Sequence, residues 1–244
     1  MWAIIVCLIV AIVVLVRWRH SGLDAFAFFT HQTLQVYGRV WKGCVCVGGR
    51  LPLPPSGPAI IIANHTCSAD AAFLQTFAYR PLAHVMAREY YDDLPWLRWL
   101  FEYLGCVVVK RDGMDVGGIP WALRRLKEGR VLCIWPEGGL SGVNRERGRR
   151  ARSGVALLAL HSDVPIYPVH ISGGPRRHEV LPAWVLPSRA KIRHGPPIDL
   201  SAFRGRRITR PLIEEVTRFL MQQIFDLETT REPDRPAPSS SAPR

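Results

Sequence analysis

The sequence predicts an α/β domain, a central sheet flanked by helices, behind an N-terminal membrane-associated helical region. Three observations predict it. Strand-length apolar runs alternate with helix-length amphipathic stretches from residue 59 to residue 228. The breaker "LPLPPSGP" at 51–58 separates that pattern from what precedes it. Residues 2–16, "WAIIVCLIVAIVVLV", carry no charge at all.

The apolar start reads as an anchor. A helix over that run is roughly 22 Å long, short of a typical ~30 Å hydrocarbon core, though Trp2 and Trp18 suit the two interfaces. Arg17, Arg19 and His20 follow the run, whereas a signal peptide carries its positive charge before it. The trailing arginines place the rest of the chain on the cytoplasmic side. Residues 1–20 are therefore expected to be a membrane anchor helix. Residues 21–50 contain "LDAFAFFTHQTLQVYGRVW", which reads equally as an interfacial helix on the bilayer or an amphipathic helix packed on the domain.

The domain proper is expected over 51–228. A strand at 59–63 leads to a helix at about 69–79, stopped before Pro81. A short strand at 83–87 precedes an aromatic helix around 89–103, and "CVVV" at 106–109 reads as a buried strand. A helix over about 116–128 ends at Gly129. The strand "VLCIW" at 131–135, a Gly/Arg-rich loop to about 150 and a helix near 152–161 follow. Strands are expected at 164–171 and 190–194. The helix 209–228 closes the domain with Leu212, Val216, Phe219 and Leu220 on one stripe. The Pro/Ser-rich tail, 229–244, lacks the apolar content to order itself.

The 244 residues carry a net charge of +12, which calls for an anionic partner: an acidic membrane surface, a phosphorylated substrate or nucleic acid. Nucleic-acid binding explains the charge but not the apolar N-terminus, and no binding motif for it stands out. Six cysteines show no disulfide framework, and Cys44-Val45-Cys46 has the wrong spacing for C-x-x-C chemistry. They read as small buried hydrophobes in a reducing compartment. The eight histidines show no metal-ligand spacing.

Chemistry concentrates in four runs. In "IIIANHTCSAD" the strand ends on Asn64 and His65, at the sheet edge where α/β proteins bind ligands. Ser68 is placed to cap the next helix, and Asp70 in its first turn can reach back to an imidazole nitrogen. Such a contact fixes the tautomer and raises the basicity of the other nitrogen. In "LGCVVVKRDG" a buried strand emerges as Lys110-Arg111, cations suited to an anionic ligand. In "CIWPEGGLSG" Glu137 can bond hydroxyls, while Gly138 and Gly139 permit close backbone approach. The loop beyond adds Arg145, Arg147, Arg149, Arg150 and Arg152, a cationic lip. In "VPIYPVHISG" two prolines frame a short strand, as at strand starts and sheet edges.

In this order and spacing the four runs resemble the glycerophospholipid acyltransferase family, which includes the lysophosphatidic acid acyltransferases. Asn64-His65 with Asp70 is similar to the first motif, N-H-x4-D. Gly105, Val108, Val109 and Arg111 resemble the second. Trp135-Pro136-Glu137-Gly138 resembles the third, usually F-P-E-G-T-R-S. Val164-Pro165-Ile166 with Pro168-Val169 resembles the fourth, and Arg152-Ser153-Gly154 the basic-x-glycine step between the last two. The likeness covers roughly residues 55–195.

The resemblance implies a mixed, mostly parallel sheet and acyl transfer from a thioester, acyl-CoA or acyl carrier protein, to a hydroxyl of a lysophospholipid-type acceptor. His65 is then the general base and Asp70 its orienting carboxylate. Asn64, Arg111, Glu137, Gly138, Gly139 and Arg152 bind substrate. It implies membrane lipids and the acyl donor as partners, no cofactor beyond that co-substrate, no metal and no covalent acyl-enzyme on Cys67 or Ser68. Oligomeric state is left open. The chain departs from the third motif where Gly139-Leu140 stands in place of Thr-Arg. The family's arginine there is implicated in binding the acceptor's phosphate. The acceptor is thus open between lysophosphatidic acid, another lysolipid and a different hydroxylated lipid, with Arg111 or the loop arginines as substitutes. A non-catalytic lipid-binding protein retaining the fold is the alternative.

Overall fold

The isoleucine run builds the middle of the sheet. Ala59–Ala63 forms β2, and all five side chains are buried, which only a strand covered on both faces achieves. The computed structural model describes residues 2–21, 24–110, 117–140, 151–174 and 180–229. The remaining strands are β1 (Val45–Cys46), β3 (Leu82–Ala87), β4 (Val107–Val109), β5 (Val131–Ile134), β6 (Ile166–Ser172) and β7 (Lys191–His194). They hydrogen-bond in the order β1-β7-β6-β2-β5-β3-β4. Every pairing is parallel except β6 with β7. The sheet is mixed and mostly parallel, flanked by helices.

One face of the sheet carries α3 (Asp70–Phe77), whose Phe73 and Leu74 pack with Ile61, Ala63 and Cys133. The other carries α6 (Gly118–Lys127), α7 (Gly154–His161) and α9 (Arg210–Thr229) over Ile60, Ile62 and Leu132. Leu212, Val216, Leu220 and Ile224 make the buried stripe of α9, with Phe219 beside it. The period of that stripe is helical, and the helix forms where the pattern predicts it.

Several elements differ from the sequence reading. The single aromatic helix expected at 89–103 is two, α4 (Arg88–Asp93) and α5 (Arg98–Leu104), with a 3-10 turn at Pro95–Leu97 between them. Leu94, at φ −120 and ψ 61, is forced out of helical geometry by the proline after it. Ser68 does not cap α3; its hydroxyl donates to the Val180 carbonyl, and the cap position falls on Ala69. Pro168 lies inside the sheet, not at its edge. Its carbonyl and that of Ile166 accept from Gly195 and Ile198, so its ring nitrogen faces the side where the β6–β7 ladder has already ended at Val169 and His194. No β2 hydrogen bond is lost.

The N-terminal region is tied to this domain. β1 pairs with β7, so the sheet begins before the 51–58 breaker. Helix α1 (Trp2–Ser21) precedes α2 (Ala25–Val36), which Asp24 caps by accepting from Ala27 N at 2.8 Å. Ala27, Phe28, His31 and Gln35 of α2 are buried, while Phe26, Phe29 and Val36 are exposed. One face thus packs on the domain; Phe29 and Val36 face outward, while the half-exposed Phe26 packs against Trp99 and Tyr103. No helix among the described residues is long and apolar enough to cross a membrane. A π-helical turn, Tyr37–Trp41, brings Gly38 so near α3 that a Cβ there would lie 2.0 Å from Thr76 Oγ1. Lys42 follows, fully buried, its ammonium donating to the Ala183 and Leu186 carbonyls at the end of α8 (Val180–Val185). Among the described residues the cysteines are free.

Candidate active site

Three neighbouring parallel strands deliver the candidate residues to one edge. β2 lies between β6 and β5, and the chain leaves its carboxyl end as Asn64-His65. β5 delivers Trp135, Pro136 and Glu137 beside it, since Ile62 pairs with Ile134. This is the edge where ligands bind in open α/β sheets.

Asp70 organises the loop after β2. It is fully buried, at the first position of α3. Its Oδ2 accepts from His65 Nδ1 at 2.8 Å, Thr66 N at 2.6 Å and Cys67 N at 3.0 Å. Its Oδ1 accepts from Thr66 Oγ1 at 2.8 Å, and the Cys67 thiol lies 3.4 Å away. The carboxylate therefore does the capping foreseen for Ser68, folding the loop back over the helix start. With an acceptor-only carboxylate at Nδ1, neutral His65 carries its proton on Nδ1. Nε2 is left as a lone-pair base without a partner among the described residues.

Asn64 is buried, and its amide spans to β6. Nδ2 donates to the Ile171 carbonyl at 2.8 Å and Oδ1 accepts from Ile171 N at 2.7 Å. Asn64, expected to bind substrate, is here a clamp between strands that anchors the base of the His65 loop. Glu137 is tied inward as well, with Oε1 accepting from His65 N at 3.3 Å. Gly138 closes a tight turn, its N–H donating to the Trp135 carbonyl, at φ +63. A Cβ on Gly138 would lie 2.1 Å from Arg152 Nε, so the Arg152 side chain runs directly over that glycine. Arg152 N also donates to the Pro136 carbonyl at 2.7 Å. Gly138, Gly139 and Arg152 all line the cavity that His65 faces. Arg111 and the loop arginines Arg145, Arg147, Arg149 and Arg150 lie outside the described residues.

The cavity is about 2060 Å³ and its wall is mainly apolar. Ordinary small-molecule sites run ~300–1,000 Å³, so this one has room for more than one long apolar chain. Cys67 is buried, and burial first, then the Asp70 charge, push its thiol up to about 12, away from the thiolate form. The sequence reading missed His84 of β3, whose imidazole is pushed down to about 4 by burial and, secondarily, by His65. A histidine inside the apolar strand "LAHVMA" was the available signal. It missed Thr66 too, a second donor to Asp70. Among the described residues no group of three or more His, Cys, Asp or Glu side chains is placed to hold a metal.

The chain matches the acyltransferase family over residues 44–172, more than half its length. It belongs to the acyltransferase family. The family match begins at Cys44, just ahead of β1, and ends at Ser172, the last residue of β6. It therefore takes in both His65 and Glu137. No curated protein matches the chain. Among solved structures, it is similar to the 1-acyl-sn-glycerophosphate (LPA) acyltransferase PlsC from Thermotoga maritima. Identity is 19%, with 89% of this chain and 88% of that one covered, at a TM-score of 0.60. At that identity the likeness is one of fold.

Proposed function

We propose that this acyltransferase-family protein moves a fatty acyl group from a thioester donor to a hydroxyl of a lysophospholipid-type acceptor at a membrane surface. One observation carries the reading: a histidine held through Nδ1 by a buried carboxylate, with Nε2 free, beside a large apolar cavity. His65 Nε2 takes the hydroxyl proton as the oxygen attacks the thioester carbonyl. The new C–O bond forms, the C–S bond breaks, and the imidazolium returns its proton to the leaving thiolate. Asp70 stabilises the imidazolium without being protonated. The buried, high-pKa Cys67 favours this direct transfer over an acyl-enzyme.

Arg152, laid over Gly138 at the cavity wall, takes the acceptor's anionic headgroup in the place of the third-motif arginine that this chain lacks. Glu137 and Gly139 complete that side, and Arg111 belongs to the same set. The outward face of α2 and the apolar α1 lie on the bilayer, with the domain on the cytoplasmic side, so that lipid enters the cavity without crossing water. The donor is acyl-CoA or acyl carrier protein; both present the same thioester. Neither a metal nor nucleic acid has a part in this reaction.

The purified full-length chain, given acyl-CoA or acyl carrier protein with a panel of lysolipids, tests this. Free thiol and diacylated lipid are expected together, both abolished in His65→Ala. Thiol release without lipid product, or activity that survives His65→Ala, overturns it.

A further inference from the structure

The residues next to the base form a row of rings across three strands. His65 follows β2, Trp135 follows β5, and His84 sits within β3; Ile61, Ala63, Cys133 and Leu82, which precede them at alternating positions, share one core. Trp135 occupies the middle. Its ring centroid is 4.8 Å from that of His65, with 31° between the planes, and 5.3 Å from that of His84, at 22°. His65 and Trp135 both line the cavity. The indole Nε1 is buried with no acceptor among the described residues, so no hydrogen bond fixes the ring. It is held by the two imidazoles on either side.

A neutral imidazole gains little from such a neighbour beyond contact. An imidazolium gains more, because its charge lies within the ~6 Å over which an indole face attracts a cation. We infer that Trp135 is a positioning residue for the base: its face keeps the His65 ring against Asp70 and stabilises the imidazolium that forms as the acceptor hydroxyl gives up its proton. This rests on the functional reading above. Trp has the strongest face of the aromatic residues for this purpose. The indole's other neighbour stays uncharged, since burial keeps His84 neutral near pH 7, so the stack does not set two cations against each other.

Other groups act on His65 as well. Asp70 comes from α3, with Thr66 and Cys67 of the intervening loop bonded to it; Glu137 comes from beyond β5 and His84 from β3, and Arg152 lines the same cavity. All are unchanged in a series at position 135, so the series isolates the ring. Leucine is the informative replacement, since it still excludes water from His65 but has no π face. Phenylalanine keeps a weaker face and, given the unpaired Nε1, loses no hydrogen bond.

The experiment uses the full-length chain in detergent, with histidines labelled at Cε1 and the His65 signal assigned by its loss in His65→Asn. The His65 titration midpoint is followed in the parent, Trp135→Phe and Trp135→Leu, alongside kcat and KM for acyl-CoA and a lysolipid. The midpoint is expected to fall in the order Trp, Phe, Leu, by about half a pH unit at leucine, and kcat to fall with it while KM holds. Midpoints that stay put or rise, or a change in KM alone, overturn the proposal. Trp135→Phe carries the test should the leucine variant not fold. If the midpoints follow this order but the parent transfers no acyl group, the functional reading fails and the stack stands. If the parent is active and dies with His65→Ala but the midpoints ignore residue 135, only the stack fails.

Discussion

His65 Nδ1 lies 2.8 Å from Asp70 Oδ2, and the same carboxylate oxygen also accepts from the backbone of Thr66 and Cys67. One buried carboxylate therefore shapes the loop and sets the tautomer of its histidine. Both jobs fall on Oδ2, so substitution touches them together. Asp70→Asn keeps the size but removes the charge that stabilises the imidazolium, and an amide nitrogen at the Oδ2 position would oppose the Thr66 and Cys67 N–H groups. A drop in kcat of about 10²–10⁴, matching that of His65→Ala, is expected for it. Lipid binding, read by co-sedimentation with vesicles, should change little in either. Cys67→Ala should keep turnover within about tenfold of the parent, because an acyl-enzyme on that thiol is absent from the mechanism.

Asn64 makes a prediction of the opposite kind. It is the residue before the base, yet its amide is spent on Ile171 of the neighbouring strand. Asn64→Ala leaves a buried N–H and a buried C=O unpaired, each costing ~1–3 kcal/mol. The urea midpoint should fall by the equivalent of about 2–4 kcal/mol, with activity lost in proportion to folding. A stable but inactive Asn64→Ala would instead mean that its amide reaches substrate.

These two residues show what was legible in the sequence. The His65–Asp70 contact was readable because a strand end followed by a helix start brings a five-residue spacing into reach. The role of Asn64 was not, because its partner Ile171 is 107 residues away and no local pattern points to it. The central strand announced itself as an unbroken apolar run, Ile60–Ile62, and the closing helix through its period, as in the α9 stripe. The short edge strand Val45–Cys46 and the helix Val180–Val185 carry too few residues for a period, and they are held by distant partners, β7 and Lys42. Ser68 looked like a cap by residue type; Asp70 took that role because its carboxylate reaches two loop amides at once.

Histidines whose basicity the fold lowers weaken the protein in acid. Burial pushes both His84 and His31 down to about 4 in the fold, against 6.5 when exposed. Between those values the unfolded chain binds protons that the folded chain refuses. Their contribution is therefore intact above about pH 6.5 and is lost as pH falls toward 4, at about 1.4 kcal/mol per pH unit for each histidine. His84→Phe and His31→Leu should each flatten the fall in urea midpoint between pH 6.5 and pH 4. A slope unchanged in both would show that neither ring is buried neutral.

Gly138 offers the sharpest test of the acceptor side. Its φ of +63 already disfavours a side chain, by ~1–2 kcal/mol. The larger effect is steric: a Cβ would sit 2.1 Å from Arg152 Nε and 2.5 Å from its Cδ. Arginine is long and flexible, so in Gly138→Ala the guanidinium moves off the cavity wall rather than the turn unfolding. His65, in the loop after β2, and Asp70, in α3, keep their geometry. KM for an anionic lysolipid should then rise by tenfold or more, with a smaller change in kcat and only a modest drop in melting temperature. Arg152→Gln should give the same KM rise, and the double variant no more than either alone, because both changes remove one interaction. Additive effects in that cycle would separate Arg152 from the glycine beneath it and assign the headgroup to another cation.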